Sequence, residues 1–301
     1  MLRHLDLEDN RLTDSSLVDI INGIAEHGAL QSLNLSRNDF DEHASTTLGN
    51  FMGNEHCALQ KLELRHADVS DAECAEFVRK IRANPDTKIS YIDMSHNLIG
   101  LSENLNVLQP DFQTGSEALA DWLDEAECNL KFLDLSWNMI RGESAIALGM
   151  ALADNRSLQV LNLAFNCFGE LGGEAVGHGL LYNSHLRKLN LANNAITPRA
   201  AFVIAVFLMM NEHMTEITLD GNPVGEVGGG ALVRLPIVLG YRLNVSMRDT
   251  DLKCRDPNGE WEFKPDLLLN YTEYKLDMSV TYEHAAAYEL LRQAAMTEGC
   301  S

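Results

Sequence analysis

Three carboxylates, Glu63, Asp93 and Asp134, hold the same place in three neighbouring copies of a recurring phrase, and His66 and His96 follow the first two by three residues. Carboxylate and imidazole are the groups of acid–base catalysis and of metal ligation, so this set is the chain's best candidate for either chemistry. The spacing argues against both. Equal positions of stacked repeats form a flat ladder, whereas a metal needs donors that converge on a point, and Lys61 and Arg65 stand where they can compensate the charge. The six cysteines (Cys57, Cys74, Cys128, Cys167, Cys254, Cys300) show no Cys-x-x-Cys pairing and read as buried, reduced thiols. The chain carries no glycine-rich phosphate loop, nucleophile elbow or zincin motif. It reads as a non-enzyme, without metal or cofactor.

These positions are set by the phrase Leu-x-x-Leu-x-Leu-x-x-Asn. It is intact at Leu2, Leu5, Leu7, Asn10; at Leu30, Leu33, Leu35, Asn38; at Leu130, Leu133, Leu135, Asn138; at Leu158, Leu161, Leu163, Asn166; and at Leu186, Leu189, Leu191, Asn194. Looser copies stand at Leu59, Leu62, Leu64 with Ala67, at Ile89, Ile92, Met94 with Asn97, and at Met214, Ile217, Leu219 with Asn222. Successive phrases lie 28 to 30 residues apart except for one step of 41. A unit of that length cannot bury its own apolar face and must stack on its neighbours.

Alternation within the phrase, as in Leu133-Asp134-Leu135, predicts a short strand with leucines inward and polar side chains outward. Nine such strands, from residues 4–7 to 244–247, are expected in one parallel sheet. Amphipathic stretches at Ser15 to Glu26, Ala72 to Ala83, Gly142 to Asp154 and Pro198 to Asn211 predict a helix after each strand. Strands are spaced about 5 Å apart and helices are about 10 Å wide, so each unit is a wedge and the stack curves with strands inside. The closing residues Asn10, Asn38, Asn97, Asn138, Asn166, Asn194 and Asn222 are expected to form a structural ladder, each short amide bonding the backbone at the bend. Asn166→Ala should therefore destabilise the stack, and Asn193→Ala, at a solvent-facing position, should barely do so.

With its period, its strand phrase and a full helix per unit, the chain resembles the ribonuclease-inhibitor-like class of leucine-rich repeat proteins over roughly residues 1–250. That class includes Nod-like receptor repeats, the tropomodulins and the activator of the Ran GTPase. The resemblance implies an α/β fold, a right-handed solenoid or horseshoe with a parallel sheet on the concave face and helices on the convex face. It specifies function weakly, because the same scaffold serves many partners; the first reading is a non-catalytic protein-interaction scaffold in the cytoplasm, within a larger intracellular protein. The runner-up is a GTPase activator like that of Ran. The activator family has a highly acidic tail, whereas residues 251–301 mix signs and carry aromatic, strand-like runs.

Row by row, the third phrase position runs His4, Ser32, Lys61, Tyr91, Phe132, Val160, Lys188, Glu216, Asn244, and the eighth runs Asp9, Arg37, His66, His96, Trp137, Phe165, Asn193, Gly221, Asp249. Both rows turn aromatic or apolar in the same repeats. Tyr91, Phe132, Val160, Trp137 and Phe165, with His66, His96, Asp93 and Asp134 beside them, are expected to form one partner-binding patch at the centre of the concave face. The competing reading has Trp137 and Phe165 folded back to pack the scaffold. The long step adds residues near 100–114, in the repeat that opens this patch, and long solenoid insertions are usually loops, often functional.

A net charge of −21 disfavours nucleic acid and anionic membrane and suits a partner with a basic or apolar surface. Residues 1–15 carry charges and lack a signal-peptide core, and the apolar run Ala200 to Met210 is too short to span a bilayer and should be a buried helix. Sequons begin at Asn34, Asn155, Asn244 and Asn270, two of them inside predicted strands. Met1 is followed at once by a complete phrase, so the first repeat's edge is expected to be covered by upstream sequence or by another chain. A degraded ninth phrase with Val245, Met247 and Thr250 is expected to end the repeats. Residues 251–301 then read as a C-terminal cap of hairpin plus helix, with Pro257-Asn258-Gly259 as a turn, Trp261 to Phe263 and Tyr274 to Met278 as strands, and Ser279 to Met296 as the helix.

Overall fold

The computed structural model describes residues 2–25, 28–102, 112–240, 242–255 and 261–263. Nine strands of three residues each, β1 (His4–Asp6), β2 (Ser32–Asn34), β3 (Lys61–Glu63), β4 (Tyr91–Asp93), β5 (Phe132–Asp134), β6 (Val160–Asn162), β7 (Lys188–Asn190), β8 (Glu216–Thr218) and β9 (Asn244–Ser246), form one sheet in sequence order. Every pairing is parallel and joins equal phrase positions, such as Leu62 to Ile92 to Leu133. Backbone bonding runs past the strand ends: Leu135 N–H donates to Asn162 O at 2.8 Å and Trp137 N–H to Ala164 O at 2.8 Å. The inward leucines are sealed, with Leu33, Leu62, Ile92 and Leu133 at 0% exposure. A leucine-rich repeat solenoid results.

The helices are α1 (Asp14–Ala25), α2 (Glu42–Met52), α3 (Asp71–Arg82), α4 (Gly115–Leu123), α5 (Gly142–Ala151), α6 (Gly169–Tyr182), α7 (Pro198–Met210) and α8 (Gly225–Val238). The four read from periodicity fall on α1, α3, α5 and α7 with ends shifted by a few residues. Local chemistry sets the starts. Thr114 Oγ1 accepts from Glu117 N–H while Glu117 accepts from Thr114 N–H, a reciprocal cap for α4. Thr197 caps α7 ahead of Pro198, whose missing N–H costs nothing at a first helical position. α5 and α6 approach so closely that a Cβ on Gly179 would lie 2.2 Å from Gly149 O, so only glycine fits there. The apolar run of α7 is a mostly buried helix, and among the described residues no helix is long and apolar enough to cross a membrane.

Two amide ladders tie the repeats together. On the strand side, Asn38 accepts from Leu12 N–H and donates to Leu7 and Leu35 carbonyls, and Asn97, Asn138, Asn166, Asn194 and Asn222 repeat the pattern. Asn10 departs from the expectation: it is exposed and its amide reaches only its own Glu8 carbonyl, because no repeat precedes it in the described stack. The second ladder, at the helix C-termini, was not foreseen. Asn155, Asn183 and Asn211 donate to Leu123, Leu152 and Leu180 carbonyls at 2.6 to 2.7 Å, and Asn84 does the same for Met52. Asn155 and Asn34, both sequon residues, are buried.

The long step is anchored at both ends by one buried carboxylate. Asp71, at 0% exposure on the first residue of α3, accepts from Gly100 N–H, Ser102 N–H and Gly115 N–H at 2.8 to 2.9 Å. Gly100 has φ +88, and a Cβ there would lie 2.6 Å from the Met139 backbone. Residues 103–111 of the insertion lie outside the described set.

After β9, β10 (Lys253–Arg255) pairs antiparallel with β11 (Trp261–Phe263). The expected turn at 257–259, the strand-like run 274–278 and the helix at 279–296 lie outside the described residues. Cys57, Cys74 and Cys128 are buried and Cys167 is exposed, against the expectation of uniformly buried thiols. Burial raises the pKa of the three buried thiols, which keeps them protonated and unreactive.

Candidate protein-interaction surface

The eighth phrase position is where the backbone leaves the sheet, and it does so in the left-handed region in every repeat. Asp9, Arg37, His66, His96, Trp137, Phe165, Asn193 and Asp249 have φ between +48 and +58, and Gly221 has +67. Bulky side chains rarely adopt this conformation. It persists because both sides of the residue are tied: the Trp137 N–H is held by Ala164 O, and the Asn138 amide holds the Leu135 and Ser136 carbonyls. The conformation turns each eighth side chain outward, and the row stacks. His66 lies 4.1 Å from His96, His96 5.1 Å from Trp137, and Trp137 3.9 Å from Phe165, all near parallel. Trp137 stays 48% exposed and Phe165 38%, so the two rings are not folded back into the scaffold.

A second stack runs along the third position. Tyr91 and Phe132 are 4.1 Å apart with 1° between their planes, and Lys61 Nζ caps the Tyr91 ring at 4.8 Å. Val160 continues the row, half-buried. The rings thus form two stacks. Among the described residues no ring contact joins them, and the fifth position runs between, with Glu63, Asp93 and Asp134. Five-residue separation along the chain places the rows on opposite margins of that polar strip.

The carboxylates do not converge. Asp93, only 6% exposed, and Asp134 each accept from the N–H and hydroxyl of the serine two residues on. Asp134 also accepts from Asn162 at 2.8 Å. Asp93 is thus too buried to serve as a contact residue itself. Glu63 pairs with Lys61 at 2.8 Å, and Arg65 lies 3.2 Å from Glu8, 3.9 Å from Glu63 and 3.8 Å from Asp93. The compensation expected of Lys61 and Arg65 is present. Among the described residues no group of three His, Cys, Asp or Glu side chains could hold a metal ion.

Titration follows this layout. Burial raises the Asp93 pKa, with Asp134 adding to it and the Ser95 bonds opposing it. Tyr91 is pushed up to about 12 by burial and by Asp93, Glu63 and Asp134. The His66 pKa is lowered by lost hydration, then by His96, Arg37 and Arg65.

The leucine rich repeat family model matches residues 1–20, 127–149, 154–177 and 182–205, segments that each hold a strand phrase and the chain leading into the next helix. The chain is built of leucine-rich repeats. No curated protein matches it. Among solved structures, an internalin (inlF) from Listeria monocytogenes is similar at 14% identity and a TM-score of 0.35, over 83% of this chain and 80% of that one. That similarity is too low to carry any argument about function. Proteins with this fold generally serve as non-catalytic interaction scaffolds.

Sequence reasoning found both aromatic rows by alignment. It missed the left-handed backbone of the eighth position. The signal available was composition: Asp and His each occur twice there and Asn and Gly once, and these four are the residues most tolerant of that conformation.

Proposed function

We propose that this chain is a non-catalytic, cytoplasmic scaffold of the ribonuclease-inhibitor-like subtype that binds a protein partner on its strand face. The subtype reading is supported by the 28-to-30-residue period and by a full helix in each repeat. The observation that carries the binding reading is the exposed stack of Trp137 and Phe165. Large rings held rigidly by their own backbone lose little entropy on docking, and such anchors dominate interface energy. The partner's surface is basic or apolar, matching the rings and the charge of −21.

Capture with the wild-type chain and with a Trp137→Ala, Phe165→Ala double variant tests this. The wild type should recover a partner that the variant does not. Equal recovery would place the working surface elsewhere. In a parallel assay the chain should leave GTP hydrolysis by small GTPases unchanged, and acceleration would point to the activator reading instead.

A further inference from the structure

The third-position stack ends differently at its two ends. At Tyr91 it is closed by a cation of the chain itself: Lys61 Nζ lies 4.8 Å over the ring and 2.8 Å from Glu63, the fifth-position carboxylate of its own repeat. At Phe132 a ring and a carboxylate recur without the cation, with the carboxylate, Asp134, on the ring's own strand and Asn162 in the place equivalent to Glu63. Phe132 presents one face to Tyr91, and the other is turned toward β6, where the third position is the short Val160. Two residues along the same strand face stands Asp134, half-buried, whose Oδ1 accepts from Ser136 and whose Oδ2 accepts from Asn162; among the described residues no cation forms an ion pair with it, so its charge is uncompensated. Asp93 lies beside Asp134 at 6% exposure and is approached by Arg65 at 3.8 Å, so Asp134 is the carboxylate of this pair left without a cation.

Resting on the reading of the strand face as a protein-binding surface, we propose that the partner inserts an arginine whose guanidinium seats on the free face of Phe132 above Val160 and is paired by Asp134. A guanidinium stacks on an aromatic face and bonds a carboxylate in the same plane, which an ammonium does less well. The Lys61 contact on Tyr91 is an internal cation-on-ring precedent one strand away, its carboxylate lying on the cation's strand rather than the ring's. The partner segment is therefore basic and arginine-bearing.

The test titrates the full chain with hexa-arginine amide by calorimetry at physiological salt, using hexa-lysine and hexa-glutamate amides as comparators. Wild type should bind hexa-arginine more tightly than hexa-lysine and should not bind hexa-glutamate. Asp134→Asn and Phe132→Leu should each weaken hexa-arginine binding by roughly tenfold. Asp154→Asn, which removes the same charge from an exposed site after α5, should leave it unchanged. Absence of hexa-arginine binding, or equal losses in Asp134→Asn and Asp154→Asn, overturns the proposal. The Trp137→Ala, Phe165→Ala double variant distinguishes this outcome from failure of the broader reading: a partner lost by that variant but indifferent to Phe132→Leu and Asp134→Asn keeps the strand face and removes the arginine seat.

Discussion

Asn166 accepts from Ile140 N–H at 3.0 Å and donates to Leu135 O and Leu163 O, so alanine there strands backbone groups of two repeats. Asn166→Ala should lower stability by about 1–3 kcal/mol in urea unfolding. Asn193 is exposed, as its sequence position suggested, yet its φ of +52 changes the forecast. Asn193→Ala should cost about 1 kcal/mol through backbone strain, whereas Asn193→Gly should cost almost nothing. Equal midpoints for the two variants would remove the strain argument. Asp93 supplies a pH test. Its pKa is raised on folding, so its ionised form weakens the fold at neutral pH and that penalty fades as pH falls through the folded-state pKa. Asn34 and Asn162 show that an amide can hold the same turn. Asp93→Asn should therefore be more stable than wild type at neutral pH, with the difference narrowing in acid; a constant difference in urea midpoints across pH would contradict this.

At the scale of elements, strand and helix positions were legible because a 2-residue alternation and a helical stripe recur in every unit and each copy checks the others. The helix-side amide ladder was equally periodic, with Asn155, Asn183 and Asn211 spaced by 28 residues, but these stand outside the strand phrase. The anchoring of the insertion was not legible at all. Asp71 precedes Gly115 by 44 residues, and nothing in local sequence says that a carboxylate starting one helix will bind amides on either side of a later insertion. Asp71→Ala should release the amides it holds, with hydrogen exchange at Gly100, Ser102 and Gly115 accelerated far more than at β1 or β9. Uniform acceleration would mean general destabilisation instead. The two aromatic rows were found by register alone, yet alignment could not show that one row lies in the sheet and the other on a left-handed turn.

For the whole molecule, a net charge of −21 sets a field that favours basic partners, so the association rate with such a partner should fall by roughly tenfold from low to high salt while dissociation changes little. Exposed apolar groups occur on both sides: Trp137 and Phe165 on the strand side, and Met150, Leu171 and Tyr182, at 53%, 64% and 58% exposure, on α5 and α6. Their comparable accessibility makes oxidative footprinting of the complex the most direct test of which side works. With the captured partner bound, labelling of Trp137 and Phe165 should drop sharply while Met150, Leu171 and Tyr182 react as in the free chain. Protection of the helix-side residues with Trp137 and Phe165 still labelled would contradict the account.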